Sequence, residues 1–189
     1  GTLDGQVVVI TGAGKGIGRS LALRLAAEGA SLGLMARTAA DIDAVTAEVV
    51  GAGAPAIGEA FDVADLAAVS RFVQRVEFEL GPVTLLVNNA GRTGEWDGTP
   101  MWNADLDDWW GRVETNLRGP VNFARAVIPG MVERHAGRVI NVNSGAGAAG
   151  AVHRLTRGHG RRADRAGVHA GRPDAHHDAD RAGPRGGRW

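Results

Sequence analysis

The stretch that constrains this chain most is eight residues long, Thr11-Gly12-Ala13-Gly14-Lys15-Gly16-Ile17-Gly18. It follows a short apolar run, Gln6-Val7-Val8-Val9-Ile10, and leads into Ile17, Leu21 and Leu25 at helical spacing, closed by Gly29. The run reads as a buried parallel strand and the spacing as an amphipathic helix. Strand, glycine-rich turn and helix in that order place the helix N-terminal amides at the mouth of the turn, where they suit an anion. Gly12 permits the tight turn, Gly16 lets backbone approach a pyrophosphate, and Gly18 lets helix and strand pack closely. A plain glycine loop is the alternative, and the surrounding strand and helix argue against it.

The pattern repeats along the chain. Strands are expected at 31–35, 56–61, 84–87 and 138–143, and helices at 41–50 and 66–80, the latter stopped by Gly81-Pro82. A long helix is expected over 106–132, bent near Gly119-Pro120. Strands alternating with helices imply a parallel sheet with right-handed crossovers. Residues 1–151 therefore read as an α/β domain: a doubly wound parallel sheet, three-layer α/β/α, truncated after the fifth strand.

Two motifs carry a family resemblance. The glycines space as Gly-x-x-x-Gly-x-Gly behind Thr11, and Asn88-Asn89-Ala90-Gly91 follows the fourth strand. Together they resemble the short-chain dehydrogenase/reductase family over about residues 4–151, which implies a Rossmann fold. The resemblance implies that Asn89 braces the sheet and that Ala90 and Gly91 lie along a dinucleotide. It also implies that Asp62 and Val63, after strand three, meet the adenine.

The end of strand two addresses which dinucleotide. An NAD site places an acid there for the ribose 2′-hydroxyl. This chain has Ala36, followed by Arg37 and Thr38. A guanidinium suits a 2′-phosphate, and Lys15, the only lysine, stands inside the glycine turn. Both charges could instead be solvated surface groups. NADP(H) is the expected cofactor, with NAD(H) ranked second.

The resemblance implies hydride transfer between a nicotinamide and a small carbonyl or alcohol. Asn116 matches the family's helix Asn, which positions a water and a Lys; an exposed helix amide is the plainer reading. Ser144 matches the Ser that orients the substrate oxygen, although a serine ending a strand is often a turn former. The family's Tyr acid/base would fall near Arg157 and its Lys near Arg161. The chain has no tyrosine, and arginine is effectively never deprotonated. His153 and His159 titrate near neutrality but stand in an unpatterned segment. Trp96, Trp102, Trp109 and Trp110 lie near the expected pocket mouth, as lining or as packing and oligomer contacts.

The zero net charge hides two unlike parts: residues 152–189 hold nine Arg and four Asp, a balance of +5, against −5 for the rest. That tail has seven Gly, five of the six His, and few large apolar side chains. It is expected to be disordered, and its composition fits a G/C-rich coding sequence read out of frame. A basic extension that binds nucleic acid is the alternative, and the lack of aromatic interleaving argues against it. A non-catalytic dinucleotide-binding protein is the runner-up for the whole.

Without cysteine there are no disulfides or thiolate metal ligands. No apolar run reaches membrane-spanning length, and Gly1-Thr2-Leu3-Asp4 carries no signal core. The expectation is a cytoplasmic protein. The chain starts at Gly1 and not at methionine, which leaves room for residues upstream. The intact family forms homo-oligomers. Here strand five should be an open edge, and the long helix should expose an apolar face around Val121, Phe123, Val127 and Ile128.

Overall fold

The computed structural model describes residues 1–92 and 99–144. Trp96, Arg157, Arg161, His153, His159 and the whole 152–189 tail lie outside the described residues. The elements run β1 (Val7–Thr11), α1 (Gly16–Ala27), β2 (Ser31–Ala36), α2 (Ala39–Gly51), β3 (Ala56–Ala60), α3 (Leu66–Leu80) and β4 (Leu85–Asn88). A 3₁₀ turn at Met101–Asn103, α4 (Leu106–Val113), a π-helical turn at Glu114–Arg118, α5 (Gly119–Glu133) and β5 (Arg138–Asn141) follow.

All pairings are parallel, in the order β3-β2-β1-β4-β5. Strand β1 is buried on both faces, which is why it is an unbroken β-branched run rather than an alternating one. Val7 and Val9 face the layer of α3 and α5, with Phe72, Val76, Phe123 and Val127. Val8 and Ile10 face α1 and α2, with Ala22, Ile42, Val45 and Val49. The result is the three-layer α/β/α arrangement. The strand order reverses at β1, so the crevice at the carboxyl ends of β1 and β4 is the switch point where such sheets bind ligands.

Local chemistry sets the helix ends. The Asp65 carboxylate accepts from the Ala68 N–H at 3.0 Å and starts α3. Gly81, at φ +106, ends it. Asp105 caps α4 by accepting from the Asp107 N–H at 2.9 Å.

Several details depart from the sequence reading. Thr11 belongs to β1, and β5 stops at Asn141 instead of Asn143. The helix expected over 106–132 is interrupted by the π turn, just before the anticipated bend at Gly119-Pro120. Phe123 and Val127, expected on an exposed face, are fully buried, because that face of α5 packs on α3 and the sheet. Phe123 stacks with Phe61 at a ring separation of 6.3 Å. Leu117, Val121, Ile128 and Val132 do stay exposed. Strand β5 pairs only with β4 among the described residues, and its four residues are exposed. None of the described helices is long and apolar enough to cross a membrane.

Candidate active site

The crevice at the switch point is a cleft of about 300 Å³. Its floor is the turn between β1 and α1. Gly12 holds φ +65 and sits so close to β4's exit that a Cβ there would lie 2.8 Å from the Ala90 Cα. A Cβ on Gly18 would lie 2.2 Å from the Gly12 carbonyl oxygen, so only glycine lets α1 close on the turn. Gly16, at φ +55, has open space where its Cβ would stand. That leaves bare backbone at the start of α1. No side chain caps α1, and its first turn holds no acid. The free N–H groups and the positive end of the helix dipole suit an anion.

The brace behind this floor is Thr11. Its hydroxyl oxygen, buried at the end of β1, accepts from the Asn89 N–H at 3.0 Å and the Ala90 N–H at 2.9 Å. Asn89 answers by donating its side-chain amide to the Thr11 carbonyl at 3.0 Å and the Gly12 carbonyl at 3.2 Å. Two strand ends 78 residues apart are thereby locked together. The first motif shapes the turn, and the second holds it in place.

One wall of the cleft is the end of β2. Met35, Ala36, Arg37, Thr38 and Asp41 line it together with Lys15 and Gly14. Most arginines of the domain are paired: Arg19 with Glu48, Arg24 with Glu28, and Arg92 and Arg112 with Asp108. Among the described residues, the side chains of Lys15 and Arg37 carry no ion pair or hydrogen bond. Two uncommitted cations therefore line one cleft.

The opposite wall includes Val63, Ala90, Gly91 and Thr115. Asn122, buried on α5, donates to the Val63 carbonyl at 3.0 Å and the Ala64 carbonyl at 3.1 Å, which fixes the turn after β3. Asp62 stands in that turn, and its carboxylate accepts from the Ala64 N–H at 2.8 Å. It does not line the cleft.

Asn116 lies in the π turn. Its side-chain oxygen accepts from the Arg92 N–H at 2.8 Å, and its amide donates to the Arg92 carbonyl at 3.0 Å. The side chain thus clamps the backbone that leaves Gly91. Ser144 is exposed just past β5, where its N–H donates to the Asn143 side-chain oxygen at 2.8 Å. Neither Asn116 nor Ser144 lines the cleft.

Of the residues singled out from sequence, Gly12, Gly14, Lys15, Ile17, Arg37, Thr38, Val63, Asn89, Ala90 and Gly91 meet in the cleft. Thr11, Gly16 and Gly18 shape it from behind. Sequence reasoning missed Asp41 and Thr115. Asp41 carried a usable signal, the Thr38-x-x-Asp41 spacing of a helix start. Thr115 carried none beyond its place before Asn116.

Comparison with known proteins agrees with this geometry. The family described as short chain dehydrogenase matches residues 6–156. A short chain dehydrogenase of Pseudocercospora fijiensis is 40% identical over 146 residues, covering 76% of this chain and 46% of that protein. A 3-oxoacyl-(acyl-carrier-protein) reductase of Synechocystis sp. is 35% identical over 149 residues, covering 78% and 59%. Among solved structures, a metagenomic short-chain oxidoreductase in complex with NADP superposes with a TM-score of 0.71 at 36% identity, covering 76% of this chain and 64% of that one. An NAD+-bound xylitol dehydrogenase superposes with a TM-score of 0.74 at 32% identity, covering 79% and 57%. The chain spans about half the length of the curated relatives it matches. With both motifs at their strand ends, a five-stranded parallel sheet and a match over residues 6–156, the chain belongs to the short chain dehydrogenase family.

Proposed function

We propose that this chain is the cofactor-binding part of an NADP(H)-dependent oxidoreductase acting on a small carbonyl or alcohol, and that as written it turns over little. The observation that carries the cofactor reading is the end of β2. Ala36 stands where an NAD site has its acid, and Arg37 and Lys15 line the same cleft without partners among the described residues. The bare turn at Gly12 and Gly16 is a cradle that any Cβ would strain or fill, which fits a pyrophosphate.

In this reading, the α1 N-terminus and the glycine turn hold the pyrophosphate. Arg37 and Lys15 hold the 2′-phosphate, Thr38 stands beside them, and Val63 bounds the adenine with Asp62 in the turn next to it. Asn89, Ala90 and Gly91 flank the dinucleotide. When bound, the nicotinamide supplies or takes the hydride. Ser144 orients the substrate oxygen, and Asn116 holds the loop after Gly91 in register. The chain has no tyrosine to give or take the accompanying proton, and this is why turnover is low.

The test is a fluorescence or calorimetric titration of wild type and Arg37→Ala with NADP+ and NAD+. A hydrogen bond to a charged group contributes about 1.5–3 kcal/mol. Arg37 is exposed to solvent, so the lower end applies, and R37A should weaken NADP+ about tenfold while sparing NAD+. An NADP+ affinity that R37A leaves unchanged overturns the reading.

A further inference from the structure

We propose that Asp41 is a specificity-determining residue of the same cleft. Its carboxylate accepts from the ribose hydroxyls of an unphosphorylated dinucleotide and opposes a 2′-phosphate, so the site takes NAD(H) as well as NADP(H). This rests on the cofactor reading above and adds a counter-charge to it.

Three observations carry the inference. The first is location. Asp41 lines the cleft together with Lys15 and Arg37. A Cβ built on Gly14 would lie 2.9 Å from the Asp41 Cβ and 3.1 Å from the Ala36 Cβ. Asp41 and Ala36 thus sit side by side against the phosphate turn. Ala36 occupies the strand end where an NAD site places its acid. The strand end that lacks an acid thus has one beside it, on the first turn of α2.

The second observation is an unmade cap. Thr38 is the N-cap of α2 and Asp41 its third residue, the spacing at which a hydroxyl and an acid close a capping box. Here neither side chain does so. Thr38 caps nothing, and Asp41 makes no hydrogen bond or ion pair among the described residues. The acid is free for a ligand that offers hydroxyl donors.

The third is charge. With Lys15 and Arg37 alone this end of the cleft would carry +2; Asp41 brings it to +1. One unit charge a few ångströms from a phosphate, in a solvated cleft, shifts its affinity by about threefold to tenfold. The same carboxylate gains hydrogen bonds when the 2′-hydroxyl is free. Both effects lower the preference for NADP(H) that Arg37 and Lys15 establish.

A purely structural role predicts something different. An acid in the first turn of a helix favours the dipole, so its loss would lower stability and leave the cofactor ratio unmoved. The experiment is a titration of wild type, Asp41→Asn, Asp41→Glu and Arg37→Ala with NADP+ and NAD+, with a thermal melt on each variant. D41N should tighten NADP+ about threefold to tenfold and weaken NAD+, raising the ratio of the two affinities about tenfold or more. D41E keeps the charge and should stay near wild type. A ratio unchanged in D41N, in a protein whose NADP+ affinity falls in R37A, overturns the role of Asp41 alone. NADP+ affinity insensitive to R37A overturns the cofactor reading and the role of Asp41 with it.

Discussion

Thr11→Val removes one oxygen and keeps the shape of the side chain. That oxygen accepts two backbone N–H groups, from Asn89 and Ala90, and Thr11 is 2% exposed. Each orphaned N–H costs about 1–3 kcal/mol when buried. Asn89 and Ala90 are only half-buried, so water recovers part of this and the sum is about 2–4 kcal/mol. The new methyl group offsets about 0.8 kcal/mol by burial. The net loss should be about 1–3 kcal/mol, a large share of the ~5–15 kcal/mol that holds a typical domain together. In a domain of this size it lowers Tm by about 3–10 °C. Urea unfolding followed by tryptophan fluorescence measures it, with Thr11→Ser as the control that keeps the hydroxyl. The valine variant should also bind NADP+ more weakly, because Asn89 loses the register that lets its amide reach the Gly12 carbonyl. A T11V midpoint equal to wild type, or an equal loss in T11S, would refute the brace.

Three further outcomes are expected. NADPH oxidation against a panel of ketones, aldehydes and quinones should run at least about 10²–10⁴ below an intact enzyme, the usual contribution of one general acid/base; turnover on the order of 10 s⁻¹ would show that another residue moves the proton. Among the described residues β5 has one neighbouring strand, with Val139 37% and Ile140 49% exposed in it and Val142 43% exposed just past it, and open apolar edges template association. Size-exclusion chromatography with light scattering should therefore show polydisperse material that Ile140→Lys narrows, and a sharp tetramer with cooperative unfolding would contradict this. The Thr2 hydroxyl, and next Arg24, hold the Glu28 carboxyl below its usual value. Its contribution is therefore present at neutral pH and lost as pH falls through the lowered value. Thr2→Val should raise that value in an NMR titration, and no change would sink the assignment.

Much of this protein is written in short stretches of chain. Val7 to Ile10 can only be a strand covered on both faces, because β-branched apolar residues in series have no polar side to offer water. Gly12 and Gly18 announce a turn with no room for a Cβ, and Gly16 one whose left-handed backbone disfavours it. These are local properties, set by backbone freedom, side-chain branching and period, so the order of residues suffices to read them. The helix of 106–132 shows where that ends. Its apolar spacing runs on without a break, whereas the π turn at Glu114–Arg118 is a change of hydrogen-bond partner that leaves little trace in side-chain pattern. By sequence, Phe123 and Val127 belong to a face of the long helix expected to be exposed. They are buried because α5 turns toward α3 and the sheet, a choice made by packing. Asn116 meets the backbone of Arg92 across 24 residues, and Asp41 meets Ala36 over Gly14. No period links those positions. Their meeting is decided by how helices seat on a twisted sheet, where close packing leaves room for one arrangement and only then brings distant side chains to the same cleft.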